Sequence, residues 1–574
     1  MLQPGLLASL RALVAITVVA LAVGCGGGGD DVPADPDAGP PDAPLPDAAV
    51  DLTEALFRPD HILEVDITLA AADWAVLRNQ PDQIGLPGVT CASQPTQVDY
   101  TYFPADVTID GATTTNVGLR KKGGFGSLSS ERPGLKVKPN EYVPGQRMFG
   151  LKNLTFNNNK QDPTYVSQCL GYGLFRAAGI PAPRCSFAHV TVNGEDLGIY
   201  SNVESIKEDF LARHFADPTG NLYESGGEFV PGGTGGFQPK TDAATPDCSD
   251  LDPVVAALQA PDAQLEARLG AVVNLDEFIR YWAMEVITDH WDGYANNQNN
   301  YFFYHDPTSD QLAFIPWGID ALFTGRARST RPLSVFACGS LAWRLYSVPS
   351  TRARYLATVR DLLATVWNEP AILAELDRMQ ALLTPRLDPT GTGDFAAQLA
   401  NVRRFVAGRA ATLRAELDAG DPVWPYAAGE PSCRINIGSL STTFTTTWAT
   451  LDRFGVGAGS MTGTVAGVDV GSTGVTASAG LDGDGKATLR ILAPLPDGRY
   501  AVVFVIIHDP TNYAVGTRTI DLATVAALMT FYDPATDTTA GGGLLLPGTL
   551  TLTSASTTPG GVVSGTVSGP VLEL

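Results

Sequence analysis

The sequence predicts an α+β protein with a β-rich first part, a helical middle and an all-β tail. Three observations predict it. Short β-type runs between turn clusters fill residues 56–206, and apolar residues recur at three- and four-residue spacing over 207–425. Beyond Pro425 the composition shifts to Thr, Gly, Ser and Val with turns at short intervals. At 574 residues the chain has room for several domains and a sizeable core.

Within the first part, "ADVTIDG" and "TTTNVGLRKKGG" read as strands, and the second runs into a Gly/Ser-rich loop, "GGFGSLSS". "GLKVKPN" is a further short strand. "DPTYVSQCLGYGLFRAAGI" reads as a helix, with Asp162 as its cap, Pro163 in its first turn and Gly179 as its stop. "CSFAHVTVNGEDLGIYSNVE" is a hairpin turning at Asn193-Gly194, because Asn-Gly suits the positive φ angles of a two-residue hairpin loop.

In the middle part, "VNLDEFIRYWAMEVITDHW", "STRARYLATVRDLLATVW", "AILAELDRMQALLTPRL" and "FAAQLANVRRFVAGRAATLRAEL" carry helical periodicity. Between the first two lie "NYFFY" and "LAFIPW", a buried strand pair around "HDPTSDQ". The tail, 426–574, is read as a sandwich-like all-β domain or small barrel. Its "LDGDGK" is a turn, because the distal Glu of a calcium loop does not follow it.

The N-terminus reads as a processing segment. Arg11 precedes the apolar run "ALVAITVVALAVGC", too short to span a bilayer, and "AVGC" resembles a bacterial lipobox. Residues 1–24 are therefore expected to be a lipoprotein signal peptide, with lipidation at Cys25. Residues 25–55, rich in Gly, Pro and Asp, cannot bury a core and read as a disordered tether. The expectation is an exported bacterial lipoprotein held at the cell envelope or surface through its lipid. A formal charge of −23 argues against a nucleic-acid partner, which would need a basic face. Six further cysteines (Cys91, Cys169, Cys185, Cys248, Cys338 and Cys433) permit up to three disulfides, and none has zinc-site spacing.

The residues with chemical promise fall in one order. Phosphoryl transfer needs a lid over the phosphates, a cation on them, hard oxygen ligands for a metal, and a carboxylate near the attacking hydroxyl. The Gly-rich loop follows a strand, with Arg120, Lys121 and Lys122 leading into Gly123 and Gly124, and Arg132 and Lys136 behind it. Asp292 lies where a helix gives way to a polar loop containing Asn297, Asn299 and Asn300. A hairpin then returns to Asp320. Helix, Asp, Asn-rich loop, two strands and Asp form the layout of a protein-kinase catalytic centre. His290, two residues before Asp292, is read as a structural histidine. No HExxH, GxSxG or Walker-type sequence is present.

The run "LKNLTFNNNKQDPTYVSQCLGYGLFRAAGIPAPRCSFAHVTVNGEDLGIYSNVESIKEDFL", with "HWDGYANNQNNYFFYHD" and "FIPWGIDALF", resembles the spore-coat protein H (CotH) kinase family over about residues 60–420. The resemblance implies an atypical protein-kinase-like fold in two lobes, a β-rich N-lobe (56–206) and a helical C-lobe (207–425). It also implies an ATP-dependent protein Ser/Thr kinase using Mg²⁺ or Mn²⁺, with a surface or coat protein as substrate. On that likeness Asp292 is the catalytic aspartate, and Asn300, with Asn297 as alternative, and Asp320 hold the metal. Lys136 is the phosphate-contacting cation, with Arg132 as competitor; Arg120, Lys122, Gly123 and Gly124 line the nucleotide, and Glu204 lies where adenine binds.

Three positions depart from the family pattern. The first Asp of its "WDxD" motif is Gly318 here, its Lys-x-Ser-x-Lys-like stretch reads "RPGLK", and Gln168 stands where a charged partner for the lysine is expected. A non-catalytic surface adhesin or structural lipoprotein, and a nucleotidyl transferase on the same fold, are the alternative readings.

Overall fold

The computed structural model describes residues 52–80, 100–123, 127–241, 248–325, 331–389, 393–424, 426, 436–451, 456–482, 485–508, 510–521, 524–535 and 538–573. The expected signal peptide, residues 25–51 of the expected tether, Cys25, Cys91, Gly124 and Cys433 lie outside the described residues. The end of the expected tether, 52–55, is instead ordered as the start of a 3-10 helix, Leu52–Phe57, held by burial of Leu56 and Phe57. The chain divides into two compact units, one holding the described residues up to Gly325 and from Pro332 to Tyr426, the other the strands from Asn436 onward.

Seven strands open the first unit: β1 (Ile62–Leu69), β2 (Phe103–Ile109), β3 (Ala112–Lys122), β4 (Gly134–Lys138), β5 (Leu154–Asn157), β6 (Cys185–Val192) and β7 (Glu195–Glu204). They close into a barrel in the order β1-β2-β3-β4-β5-β7-β6, the closure being a parallel pairing of β1 with β6. The β6–β7 hairpin turns at Asn193 and Gly194 with φ of 51° and 80°, as the Asn-Gly signal predicted. Alternate residues such as Val65, Val107, Leu119, Val137, Phe156 and Val190 fill the interior. Period-two alternation then puts Arg120, Lys122, Lys136, Thr155 and Asn157 on the outer face.

Helix α1 (Ser167–Ala177) packs outside the barrel. It starts later than the sequence suggested, yet the Asp162 carboxylate still accepts the backbone N–H of Ser167 and of Thr164, both at 2.9 Å. Gly179, at φ 76°, ends the segment. A Cys169–Cys185 disulfide ties α1 to β6. Cys248 is also disulfide-bonded, and Cys338 is a buried thiol.

The rest of the unit is mainly helical but contains a small sheet, only half of which was legible. β10 (Tyr301–Asp306) and β11 (Gln311–Pro316) form the expected hairpin. They are joined by β8 (Asn221–Glu224) and β9 (Gln238–Pro239) in the order β11-β10-β8-β9. β8 and β9 are short and flank a Gly-rich stretch, so their strand character comes from pairing, β8 with β10 and β9 with β8, and not from local preference.

Beneath this sheet lies α2 (Leu275–Ile287), buried along most of its length. Asn274 caps its start by accepting from the Glu277 N–H. The buried Arg409 guanidinium donates to the Val286 and Ile287 carbonyls at its end (2.5 and 3.1 Å), satisfying acceptors the helix leaves open. A one-turn helix, α3 (Tyr294–Asn297), follows. Longer helices (Pro349–Thr365, Glu369–Leu387 and Asp394–Ala419) complete an aromatic-rich core.

In the second unit eleven strands form one sheet, and the first (Asn436–Thr447) pairs along its length with the last (Val562–Glu573). The first strand thus has partners on both sides, while the strand Gly516–Ile520 ends the path of the sheet. Its interior is filled by residues such as Phe444, Met461, Ile491, Val503, Met529 and Val567.

Candidate active site

The Asn-rich loop folds around Asp292. The carboxylate is 3% exposed and accepts the side-chain N–H of Asn297 (2.6 Å) and Asn299 (3.3 Å) on one oxygen, and of Asn300 (2.6 Å) on the other. An ionised carboxylate only accepts, so each amide turns its NH₂ toward Asp292 and its carbonyl oxygen elsewhere. Asn300 adopts φ 47°, a left-handed backbone that asparagine tolerates better than most residues.

The hairpin returns the chain to Asn300. Gly318 is at φ 56°, and a Cβ built there would lie 2.4 Å from Asn300 Cγ and 2.5 Å from its Oδ1. The missing first carboxylate of "WDxD" therefore coincides with an asparagine side chain packed where it would stand. His290, 2% exposed, lies against the backbones of Asn300 and Trp317, and burial pushes its pKa down to about 4. A neutral imidazole thus joins the two loops. α1 packs on the same turn: a Cβ on Gly171 would lie 2.4 Å from Leu322 and 2.8 Å from Ile319.

Asp320 faces the barrel. Its pKa is raised to about 6, first by burial and then by the Asp162 carboxylate, while Lys122 and a hydrogen bond from Asn157 pull it down. Strand register accounts for these neighbours. Lys122 pairs with Gly134 on β4, and Asn157 follows Phe156, the partner of Leu135. Lys122 and Asn157 thus flank a side-chain-free position. The Lys122 ammonium also sits 5.6 Å from the Trp317 ring centroid, stacked on the residue that opens "WGID".

Lys136 and Arg120 pair with each other one row further from Asp320. Both are buried, and Arg120 lies over the Tyr102 ring. Gly123 sits at φ 97°, where a Cβ would strike Ser127 Oγ at 2.3 Å. Arg132 is turned away into structure: it donates to the Ile199 carbonyl (2.7 Å) and stacks on Tyr200 and Tyr165. The Glu204 carboxylate is taken by Arg184 and Arg213, whose charges hold its pKa low against burial. Gln168 joins Asn157 (3.4 Å) and Asn159 (3.3 Å), ordering the residues beside Asp320. The structure thus groups Asp292, Asn297 and Asn300 on one loop and sets Asp320 against Lys122. Arg132 and Glu204 are engaged elsewhere.

Sequence reasoning did not find Asn157, Trp317, or the two glutamates behind the loop, Glu285 and Glu228. Trp317 and Asn157 lay inside quoted motifs. The glutamates carried no signal, since a Glu in a helix or a Gly-rich loop reads as a solvated residue. Among the described residues no three His, Cys, Asp or Glu side chains gather as a metal cage. Asn300 gives its NH₂ to Asp292 and turns its carbonyl oxygen, a donor type that hard cations take, away from it.

Comparison with known proteins covers the same segment. The family model described as "CotH kinase protein" matches residues 119–413, about half of the chain. The Bacillus subtilis inner spore coat protein H is 23% identical over 266 residues, covering 43% of this chain and 72% of that protein. Several Rhizopus delemar proteins also match, among them invasins. Invasin CotH2 is 26% identical over 32% of this chain and 34% of its own length. Invasin CotH7 is 23% identical over 43% of this chain and 44% of its own. With the matched region spanning the barrel from β3, the Asn-rich loop and the "WGID" turn, the chain belongs to the CotH kinase protein family.

Proposed function

We propose that the protein is a kinase-like, two-lobed CotH enzyme that transfers the γ-phosphate of ATP to a Ser or Thr hydroxyl of a surface protein, anchored outside the cytoplasm by lipid at Cys25. The observation that carries this reading is the Asp292 carboxylate held by the amides of Asn297 and Asn300, with Asn300 packed on the Gly318–Asp320 turn. Asp292 orients the substrate hydroxyl and takes its proton as the oxygen forms the new bond to phosphorus. The bond from the γ-phosphorus to the bridging oxygen breaks, and ADP leaves. Mg²⁺ or Mn²⁺, when bound by Asn300 and Asp320, would neutralise phosphate charge. Lys122, beside Asp320, is the cation best placed for the phosphates, with Lys136 and Arg120 behind it. Glu204 marks the barrel's exit toward the helical part, where backbone groups would receive adenine.

The test is incubation of the full chain, disulfides intact, with γ-labelled ATP and Mg²⁺ or Mn²⁺. Autophosphorylation that disappears in Asp292→Ala and Asp320→Ala is the expected result. No labelling, together with no metal-dependent thermal shift by ATP, would overturn the reading. Label from α- but not γ-labelled ATP would indicate nucleotidyl transfer.

A second reading, a surface-binding protein without turnover, has two observations in its favour. Gly318 removes a carboxylate beside the metal position, and three relatives carry the name invasin. Binding to a host or coat surface unaffected by Asp292→Ala would support it.

A further inference from the structure

Behind the Asn-rich loop, the buried carboxylate of Glu285 holds the backbone at one end, and the partly buried carboxylate of Glu228 holds the Gln298 side chain at the other. Glu285, in the last turn of α2, is 0% exposed and accepts the Tyr281 hydroxyl (2.7 Å) and the backbone N–H groups of Tyr294 (2.7 Å) and Ala295 (2.9 Å). Tyr294 and Ala295 are the first two residues of α3. A single turn cannot hold itself in water, because it gains too few hydrogen bonds for the dihedrals it fixes. Its first N–H groups also have no partners inside the turn. Glu285 supplies those partners from a longer, buried helix whose own end is fixed by Arg409.

The approach is too close for a side chain between them. A Cβ on Gly293 would lie 2.1 Å from Glu285 Oε1 and 2.6 Å from His290 Cδ2. Asn297 closes α3 by donating its N–H to the Gly293 carbonyl (3.0 Å), and its side chain reaches Asp292. At the other end, Glu228 accepts from Gln298 Nε2 (2.8 Å), the Ser340 N–H (3.0 Å) and the Ser340 hydroxyl (2.6 Å). Gln298 sits at φ 55°, where the chain reverses toward Asn299 and Asn300.

We propose that Glu285 and Glu228 are positioning residues that clamp the two ends of α3 and so set the asparagine cage around Asp292. Neither touches the reacting atoms. Glu285 fixes where the loop starts, and Glu228 fixes the reversal that delivers Asn299 and Asn300. The proposal rests on the phosphoryl-transfer reading for its catalytic consequence, but the clamp itself is a statement about backbone order.

The test uses the full chain with Glu285→Gln and Glu228→Gln, near-isosteric changes that each place an NH₂ against an existing donor. Backbone amide exchange at Tyr294 and Ala295 should accelerate about ten- to hundredfold in E285Q, the loss expected for a hydrogen bond to a carboxylate, with amides of the helix Pro349–Thr365 unchanged. For phosphate transfer, kcat should fall by about the same factor in both variants, with KM for ATP within about threefold of the original. A merely structural role would instead accelerate exchange throughout the first unit and move kcat and KM together; either result overturns the clamp, as does unchanged exchange at Tyr294 and Ala295 in E285Q. Because E285Q removes a buried charge partner, Tyr281→Phe serves as a second variant. It keeps the carboxylate and its two backbone bonds, and should leave exchange at Tyr294 and Ala295 within about threefold of wild type. If the wild-type chain transfers no phosphate at all, the kinase reading fails while the exchange result still decides the clamp.

Discussion

Gly318→Ala tests whether the glycine in "WGID" is required by Asn300. Two costs are readable from the structure. The residue sits at φ 56° and ψ 35°, a left-handed conformation that costs an L-residue about 1–2 kcal/mol. The added methyl would also lie 2.4 Å from Asn300 Cγ, 2.5 Å from Oδ1 and 2.9 Å from Cβ. Absorbing such an overlap in a packed site costs about 1–3 kcal/mol. Escape by turning Asn300 away is no cheaper, since its 2.6 Å hydrogen bond to the Asp292 carboxylate would be lost, at about 1.5–3 kcal/mol. Gly318→Ala should therefore destabilise the first unit by about 2–5 kcal/mol.

The decisive assay is a double-mutant cycle with Asn300→Gly, which removes all three colliding atoms and suits the φ of 47° at that position. Denaturant unfolding followed by tryptophan fluorescence reports mainly on the first unit, since every tryptophan except Trp448 lies in it. In the Asn300→Gly background, Gly318→Ala should cost only its backbone term, giving a coupling of about 1–3 kcal/mol. Additive effects within about 0.5 kcal/mol would refute the reasoning. By the same logic Gly318→Asp, which restores the family's carboxylate, should destabilise this chain.

Glu277 is buried, its carboxylate accepting the Phe314 N–H at 3.1 Å, and burial pushes its pKa from 4.5 up to about 8. Between those values the unfolded chain ionises while the folded chain must stay protonated, so stability falls as pH rises, by about 3 kcal/mol at pH 7. Glu277→Gln should stabilise the chain increasingly from pH 5 to pH 8 in denaturant titrations; a pH-independent effect would contradict this. Lys122→Ala should weaken the ATP- and metal-dependent thermal shift by about tenfold or more in apparent affinity, and more than Lys136→Ala, because only Lys122 neighbours Asp320. An equal loss in both variants would remove the distinction. Replacing Cys169 and Cys185 by Ser opens a link of sequence separation 16 and should cost about 3 kcal/mol, read as a lower unfolding midpoint. It should also weaken ATP binding, since the bridge holds the helix that carries Gln168 and packs Gly171 on the Asp320 turn.

Much of the site was legible because its parts are local. Asp292 and its asparagines lie within nine residues, so one polar loop after a helix was enough to mark them. The β10–β11 hairpin and the Asn193-Gly194 turn were equally local, each specified by alternation and turn residues. Choosing among Lys136, Arg132 and Lys122 was another matter. All three flank the same loop, and only the barrel's register separates them. Arg132 is spent on a β7 carbonyl, Lys136 stands a row back, and Lys122 meets Asp320. Glu204 shows the same limit, since Arg184 is near in sequence only through the hairpin and Arg213 reaches it from a separate helix.

By itself, then, the sequence determined the α+β composition, the β-rich tail, the order of the motifs and the family. These follow from periodicity and turn chemistry, which act over a few residues. Tertiary structure alone decided the parallel β1–β6 closure, the β8–β9 additions to the small sheet, and the meeting of Asp320 with Lys122 and Asn157. It alone also placed Asn300 where Gly318 lacks a side chain and set Glu285 and Glu228 behind the loop. Most of these join residues distant along the chain, all are fixed by strand register or burial, and none leaves a periodic trace in the sequence.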